Sequence, residues 1–270
     1  MFRSNVRRSG SLRSIWHRRE RKRRPAESPT RPGLVTAHRP TNRNWANETN
    51  WYSGHPWSML YCLAQLASDR RVEWSHTPEQ IARKLCLFYC GCCRLRWDEL
   101  AGDEARHAVT VIERHADGGA SRTEWRAARR YAATAERLSH RGWAWRNSQE
   151  LRNAASLASL VASAAKARGG LGGGGVRSGC PVEVITQAAL LRDVFGNPFA
   201  LADVKPVWLT RTVTDLARTI YTERSFELMG VLGDALQDAG CDCQEVLDHC
   251  YGSGVHSRGC WLLDVVLGNT

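Results

Sequence analysis

The side chains with the most chemistry in this sequence are cysteines and histidines, which fall into two clusters. The first cluster packs four thiols into eight residues and consists of Cys86, Cys90, Cys92 and Cys93. The second lies near the C-terminus and consists of Cys241, Cys243, His249, Cys250, His256 and Cys260. Thiolates and imidazoles are the ligands that Zn²⁺ prefers in proteins, and a thiol beside a base can also act as a nucleophile.

The spacing of Cys90 and Cys93 leaves three interpretations open. Residues three apart on a helix share a face, so both thiolates could bind one Zn²⁺, completed by Cys250, His256 or Cys260. A free cysteine is more often a small buried hydrophobe, and core packing is the interpretation that the sequence favours. A catalytic thiol is the third, although nothing in the sequence identifies its base. Zinc is therefore an alternative, and no other cofactor is expected.

Motifs typical of enzymes are missing from the sequence. There is no Gly-x-Gly-x-x-Gly after a predicted strand, no Gly-Lys-Ser/Thr after the glycine-rich stretch, no His-Glu-x-x-His and no Gly-x-Ser-x-Gly. The sequence therefore favours a non-enzymatic protein.

The elements that would position these side chains are predicted to be helices. Thr77 and Gln80 form a capping box before a helix that runs to about Leu100 and carries two adjacent apolar stripes. We also predict helices over 56–68, 103–116, from Ser121 to about 167, 181–195, 213–223, 226–239, 243–250 with Asp242 as its cap, and 258–267. No useful β alternation occurs. The prediction is an all-α fold.

The domain organisation follows from composition. Residues 1–50 carry a net charge of +10 and the remainder only +1. We predict a disordered Arg-rich tail over 1–44, a helical region over 45–168, a Gly-rich linker over 169–179 and a second helical region over 180–270. The densest basic run of the tail is Arg18, Arg19, Arg21, Lys22, Arg23 and Arg24. Such a tail is suited to non-specific polyanion binding.

A second basic feature lies on the helical region after Ser121, where the acids are only Glu124 and Glu136. Its basic residues are Arg122, Arg126, Arg129, Arg130, Arg137, Arg141 and Arg146. A solvated face is the simpler interpretation, and an anionic partner is the alternative. The sequence has no secretory signal and no apolar stretch of membrane-spanning length, and its ten cysteines suit a reducing compartment. We therefore expect a soluble cytoplasmic protein with no membrane partner.

Several segments resemble a family of uncharacterised planctomycete-type bacterial proteins. The resemblance rests on Lys-Leu-x-Leu-Phe-x-Cys-x-Cys-Cys-Arg over 84–94, on His-x-Arg-Gly-Cys-Trp over 256–261, and on residues 103–106, 111–118, 190–199, 208–209, 220–221 and 235–241. It covers about residues 47–268. It implies a helical protein with an Ala-rich central segment, and no activity.

Function is therefore expected to be that of a non-enzymatic helical interaction module with an unidentified protein partner. The first alternative is a nucleic-acid-associated protein that uses the tail and the basic helix. The second alternative is a zinc-stabilised helical protein.

Overall fold

The computed structural model describes residues 47–68, 76–100, 102–141, 182–200 and 202–269, and within these ranges the chain is all-α. The predicted fold class is thereby confirmed. The ten α-helices of this part are α1 (Glu48–Tyr52), α2 (Pro56–Ser68), α3 (Pro78–Arg94), α4 (Gly102–Ala116), α5 (Arg122–Arg141), α6 (Val184–Phe195), α7 (Arg211–Glu223), α8 (Met229–Asp238), α9 (Gln244–Tyr251) and α10 (Trp261–Leu267). The predicted tail and Gly-rich linker lie outside the described residues.

Two helix starts are fixed by reciprocal side-chain hydrogen bonds. Thr77 accepts from the Gln80 backbone N–H, and the Gln80 side chain accepts from the Thr77 N–H, which completes the predicted capping box of α3. Ser121 and Glu124 make the same pair of bonds before α5. Each arrangement satisfies backbone donors that the first helical turn leaves unpaired.

Several helix starts differ from the prediction: α6, α7 and α8 begin at Val184, Arg211 and Met229 rather than at 181, 213 and 226. Two further starts differ for a local reason. Helix α9 begins at Gln244 rather than Cys243, and Asp242 does not cap it because its carboxylate binds Lys205 at 3.0 Å. Helix α10 begins at Trp261 rather than Arg258, because Gly259 has a φ of +93° that interrupts any helix there.

Helix α3 lies at the centre of the first group of helices. Twelve of its residues, from Ile81 to Cys93, are buried, in agreement with its two apolar stripes. The helix ends at Arg94, before the predicted end near Leu100, and Leu95 is 39% exposed although its spacing places it on a stripe. A short 3₁₀ turn over Trp97–Glu99 then leads into α4.

Two hydrophobic clusters make up the described interior. The first is formed by α1 to α6 and includes Trp51, Phe88, Ile112 and Leu191. The second is formed by the chain after residue 200, with α7 to α10. Helix α6 packs on α2 and α3. It thus belongs by packing to the helices that precede the glycine-rich segment.

A buried ionic network connects the two clusters. Asp264 in α10 accepts two hydrogen bonds from the Arg83 guanidinium of α3, at 2.7 and 2.9 Å, and lies 3.2 Å from the ammonium group of Lys84. Lys84 also donates to the Val194 carbonyl at 2.7 Å. Tyr221 and Arg83 both donate to Asp117, which follows α4. The two groups of helices are therefore joined by ion pairs as well as by apolar contact.

Among the described residues, no helix is both long and apolar enough to cross a bilayer.

Candidate metal centre

Four potential metal ligands converge where α6, α9 and the chain before α10 meet. They are Asp193, His249, His256 and Cys260, and one ligand atom from each lies within 4.8 Å of all the others. Within the described part of the chain this is the group of His, Cys, Asp and Glu side chains that could hold a metal ion.

Separate elements bring these side chains together. Asp193 lies in the last turns of α6, between Leu191 and Val194, which are buried in the first cluster. His249 lies in α9, which Val246 and Cys250 fix to the second cluster. His256 and Cys260 belong to the connection between α9 and α10.

Glycines allow the connection to approach the first group of helices closely. A side chain at Gly259 would place its Cβ 2.8 Å from Leu87 Cδ1 and 2.9 Å from Leu87 Cβ. A Cβ at Gly91 would lie 2.9 Å from Leu190 Cδ2 and 3.4 Å from Ser257 Cβ. Both positions are filled by neighbours, so the site depends on the absence of side chains there.

Two of the three distances within the group are hydrogen-bond distances, somewhat shorter than the ligand separations of a tetrahedral site, and the third falls within that range. Asp193 Oδ1 lies 2.9 Å from His256 Nδ1 and 3.6 Å from His249 Nε2, and that Nε2 lies 3.0 Å from Cys260 Sγ. Ligand atoms at 2.0–2.3 Å from one tetrahedral ion are separated by roughly 3.3–3.8 Å. A small expansion of the observed group would therefore accommodate a metal ion.

A second layer of hydrogen bonds orients the carboxylate. Asp193 Oδ2 accepts from the Ser257 backbone N–H at 2.8 Å and from the Ser257 hydroxyl at 2.9 Å. The other oxygen, Oδ1, therefore faces the imidazoles of His249 and His256. Outer partners of this kind fix the orientation of metal ligands in known sites.

The site is deeply buried, which alters the acid–base properties of its groups. The side chains of Asp193, His256 and Cys260 are 3%, 8% and 0% exposed, respectively. Burial lowers the pKa of His249 to about 4, against a smaller opposing effect of Asp193. Burial also raises the pKa of the Cys260 thiol well above its usual value, while backbone N–H groups at the start of α10 act in the opposite direction. Without a metal, the imidazole of His249 is therefore neutral and the thiol protonated.

Trp261 determines the tautomer of His249. Its indole N–H donates to His249 Nδ1 at 3.2 Å, so Nδ1 is an acceptor and the neutral ring carries its proton on Nε2. A neutral ring with a metal on Nε2 would carry its proton on Nδ1, so ligation there would break the hydrogen bond from Trp261.

The structure brings only two of the five ligands predicted from the sequence into the group of four. It brings His256 and Cys260 together in the group of four. Cys90 and Cys93 lie buried in the first cluster, where the Cys90 thiol is 4.0 Å from the Val109 carbonyl oxygen. Cys250 is buried in the second cluster, and burial raises its pKa to about 12. These three thiols do not belong to the group.

The sequence-based prediction does not include two of the four residues, His249 and Asp193. His249 could have been found, since its spacing from His256 and the Cys260 that follows place three donors in one short stretch. Asp193 has no such signal, because it comes from a helix far earlier in the sequence. The residues predicted to bind nucleic acid, which are Arg18, Arg19, Arg21, Lys22, Arg23 and Arg24, lie outside the described residues.

The basic face of α5 is present as a solvated surface. Arg122, Arg126, Arg129 and Arg130 are exposed. Glu124 on the same helix is engaged by the Ser121 backbone and by Arg114 at 2.9 Å.

Fold and site together define a class of protein, an all-α chain with a buried Asp/His/His/Cys group that could hold a metal ion. Comparison with protein-family models, with curated proteins and with solved structures finds no match to this chain.

Proposed function

We propose that the chain is a zinc-stabilised helical module whose Zn²⁺ is bound by Asp193, His249, His256 and Cys260. The observation that carries this proposal is the convergence of four ligand atoms of suitable type within 4.8 Å in a buried site. Without an ion the four side chains are paired with one another by hydrogen bonds, and a metal ion would replace these contacts by coordination.

The donor set favours zinc over Mg²⁺ and Ca²⁺. Mg²⁺ and Ca²⁺ take oxygen ligands and more of them, whereas two imidazoles, one thiolate and one carboxylate suit a tetrahedral Zn²⁺. Sites that keep an open position for substrate use three protein ligands. Four protein donors at a buried position support a structural ion and a non-enzymatic function.

The proposed ion would have a structural role. Asp193 lies on α6, whose apolar residues belong to the first cluster, and Cys260 belongs to the second cluster. His249 and His256 lie in α9 and in the connection that follows it. Zinc at this position would link the two groups of helices, and its binding energy would become folding energy. The module would then present one fixed arrangement of its helices to a partner.

The first test is the metal content of the purified full chain. We expect about one equivalent of zinc per chain and a large fall in melting temperature after dialysis against a strong chelator. Addition of Zn²⁺ should restore the transition and change the Trp261 emission, because ligation at His249 removes the acceptor of its indole N–H. The same change should be absent in Trp261→Phe.

A matched pair of cysteine variants provides the control. Cys260 and Cys250 are both buried thiols, at 0% and 3% exposure, and only Cys260 belongs to the group of four. Cys260→Ala should lose the zinc, and Cys250→Ala should keep it. A protein without zinc and insensitive to chelator, or equal zinc in both variants, would refute the centre.

A nucleic-acid-associated function is the second candidate, and it rests on the four exposed arginines of α5. A contiguous basic helix face can bind phosphates without sequence preference. It remains a proposal separate from the metal centre.

A further inference from the structure

A cavity of about 170 Å³ lies between the two groups of helices and is lined on one side by residues 255–258. Much of its wall is apolar. These wall residues are Leu87, Leu95, Leu190, Phe226 and Val255. Its volume suits a small organic molecule.

The polar part of the wall carries more positive than negative charge. Three arginines, Arg94, Arg224 and Arg258, line the cavity together with one acid, Glu113. Glu113 is 1% exposed and accepts from Arg94 at 3.1 and 2.7 Å and also from Arg224. A single carboxylate thus faces two guanidinium groups.

The third arginine shares its carboxylate partner with another arginine. Arg258 Nε forms an ion pair with Asp117 Oδ2 at 3.0 Å. Asp117 is already engaged by Arg83 and Tyr221 through its other oxygen. The cavity wall therefore keeps an excess of partly buried positive charge.

Arg224 reaches Glu113 from the end of α7. Its φ of +62° makes it the one non-glycine residue with positive φ in the described part of the chain. The left-handed conformation is a common way for a helix to end, and Arg224 is the residue that follows the last turn of α7. The helix end thus places a guanidinium at the cavity wall.

His256 contributes a further polar group to the same wall. Its Nδ1 faces Asp193, and its Nε2 is buried without a hydrogen-bond partner in the described structure. With a metal on Nδ1, the neutral ring carries its proton on Nε2, which becomes a buried donor that lacks an acceptor.

We propose that this cavity binds a small organic oxyanion, a phosphate monoester or a carboxylate with a short apolar body. The oxyanion would accept from the guanidinium groups of Arg94, Arg224 and Arg258, and the apolar body would lie against the leucines. The hydrogen bond from His256 requires the proposed zinc ion on Nδ1. The contacts with the three arginines do not depend on zinc.

Calorimetric titration of the purified full chain with phenyl phosphate, benzoate and uncharged phenol tests this site. We expect saturable binding of one equivalent of at least one anion, and none of phenol. Phenyl phosphate alone would identify a phosphate site, and benzoate alone a carboxylate site. Absence of binding by both anions, or equal binding of phenol, would overturn the proposal.

Substitutions locate the binding. Arg224→Gln should weaken it by about tenfold or more, since a charge-assisted hydrogen bond contributes about 1.5–3 kcal/mol. Arg218→Gln, at a residue of α7 with a 63% exposed side chain, should leave it unchanged. Equal affinities of these two variants would place the anion elsewhere.

A second variant covers the case in which Arg224→Gln does not fold. Val255→Trp fills the cavity and retains every arginine, so a folded variant that no longer binds supports the site, and one that binds normally overturns it. Failure of the zinc centre is distinguishable. If a zinc-free protein binds the anion, the zinc centre is refuted and the anion site is supported. If the protein contains zinc but binds no anion, the anion site is refuted and the zinc centre is supported.

Discussion

Burial raises the pKa values of thiols and lowers those of imidazoles in this protein, because it disfavours the charged form of each group. It raises the pKa of the Cys62 thiol to about 11 and that of Cys250 to about 12. It lowers the pKa of His76 and of His249 to about 4. Thiols of this interior are therefore protonated at neutral pH, and a metal would have to displace the proton of Cys260.

His76 provides a prediction about acid stability. Its pKa in the folded protein lies below the ordinary value of 6.5, because burial, together with the charge of Lys84, disfavours the imidazolium form. The stabilisation is present above pH 6.5 and is lost as the pH falls towards 4, since only the unfolded chain takes up the proton over that range. The loss has an upper bound of about 3 kcal/mol, reduced by the solvent that reaches the ring.

The measurement is denaturant unfolding of chelator-treated protein at pH 7 and pH 4.5. His76→Gln should lose less unfolding free energy between these two pH values than the wild type, because the variant lacks the titrating ring. Parallel losses in both proteins would contradict the assignment.

Sequence reasoning identifies half of the candidate centre for a physical reason. His256 and Cys260 are close in the chain, so their proximity in space is nearly guaranteed. Asp193 reaches the site only because α6 packs on α3, and one aspartate in an apolar helix carries no signature of that contact. Ser257, which fixes the carboxylate, is likewise recognisable only from the fold.

At the scale of elements, the predictions that succeed rest on local chemistry. Thr77 with Gln80, and Ser121 with Glu124, mark helix starts through hydrogen bonds within four residues. Asp242 fails as a cap because a residue far along the chain, Lys205, competes for its carboxylate. Apolar periodicity likewise locates α3 but not its end, which the turn at Arg96 determines.

Gly259 is the element-scale position where a substitution should matter most. Gly259→Ala combines a φ of +93° with a Cβ placed 2.9 Å from Leu87 Cβ. Backbone strain and overpacking together should lower the free energy of unfolding by about 2–4 kcal/mol. Thermal or denaturant unfolding measures this effect.

The matched control is Gly254→Ala in the same connection. A Cβ at Gly254 would meet no heavy atom within 4 Å, and the residue has no positive φ. The free energy of unfolding should therefore change by less than about 1 kcal/mol. Similar effects at both glycines would show that the close approach to α3 is unimportant.

At the scale of the whole molecule, the junction between the two clusters depends on Asp264. Its carboxylate is 0% exposed and lies between Arg83 and Lys84. Asp264→Ala would leave these two cations without their shared partner and should cost about 3–5 kcal/mol. Equilibrium unfolding with two probes, far-ultraviolet dichroism and tryptophan emission, measures the loss.

Asp215→Ala supplies the comparison for that variant. Asp215 also pairs with two cations, Arg211 and Arg218, but its side chain is 55% exposed. Water replaces the lost partner there, so the effect should stay below about 1 kcal/mol. Equal effects of the two substitutions would mean that the junction contributes little to stability.

The polar character of this junction has a consequence for hydrogen exchange. Ion pairs exposed by separation of two clusters regain water, whereas an apolar interface would not. Each hydrophobic cluster can therefore stay packed while the contacts between the two clusters break. Amides of α7 to α10 would then exchange with solvent as a group, distinct from those of α3 and α4 at the centre of the first cluster.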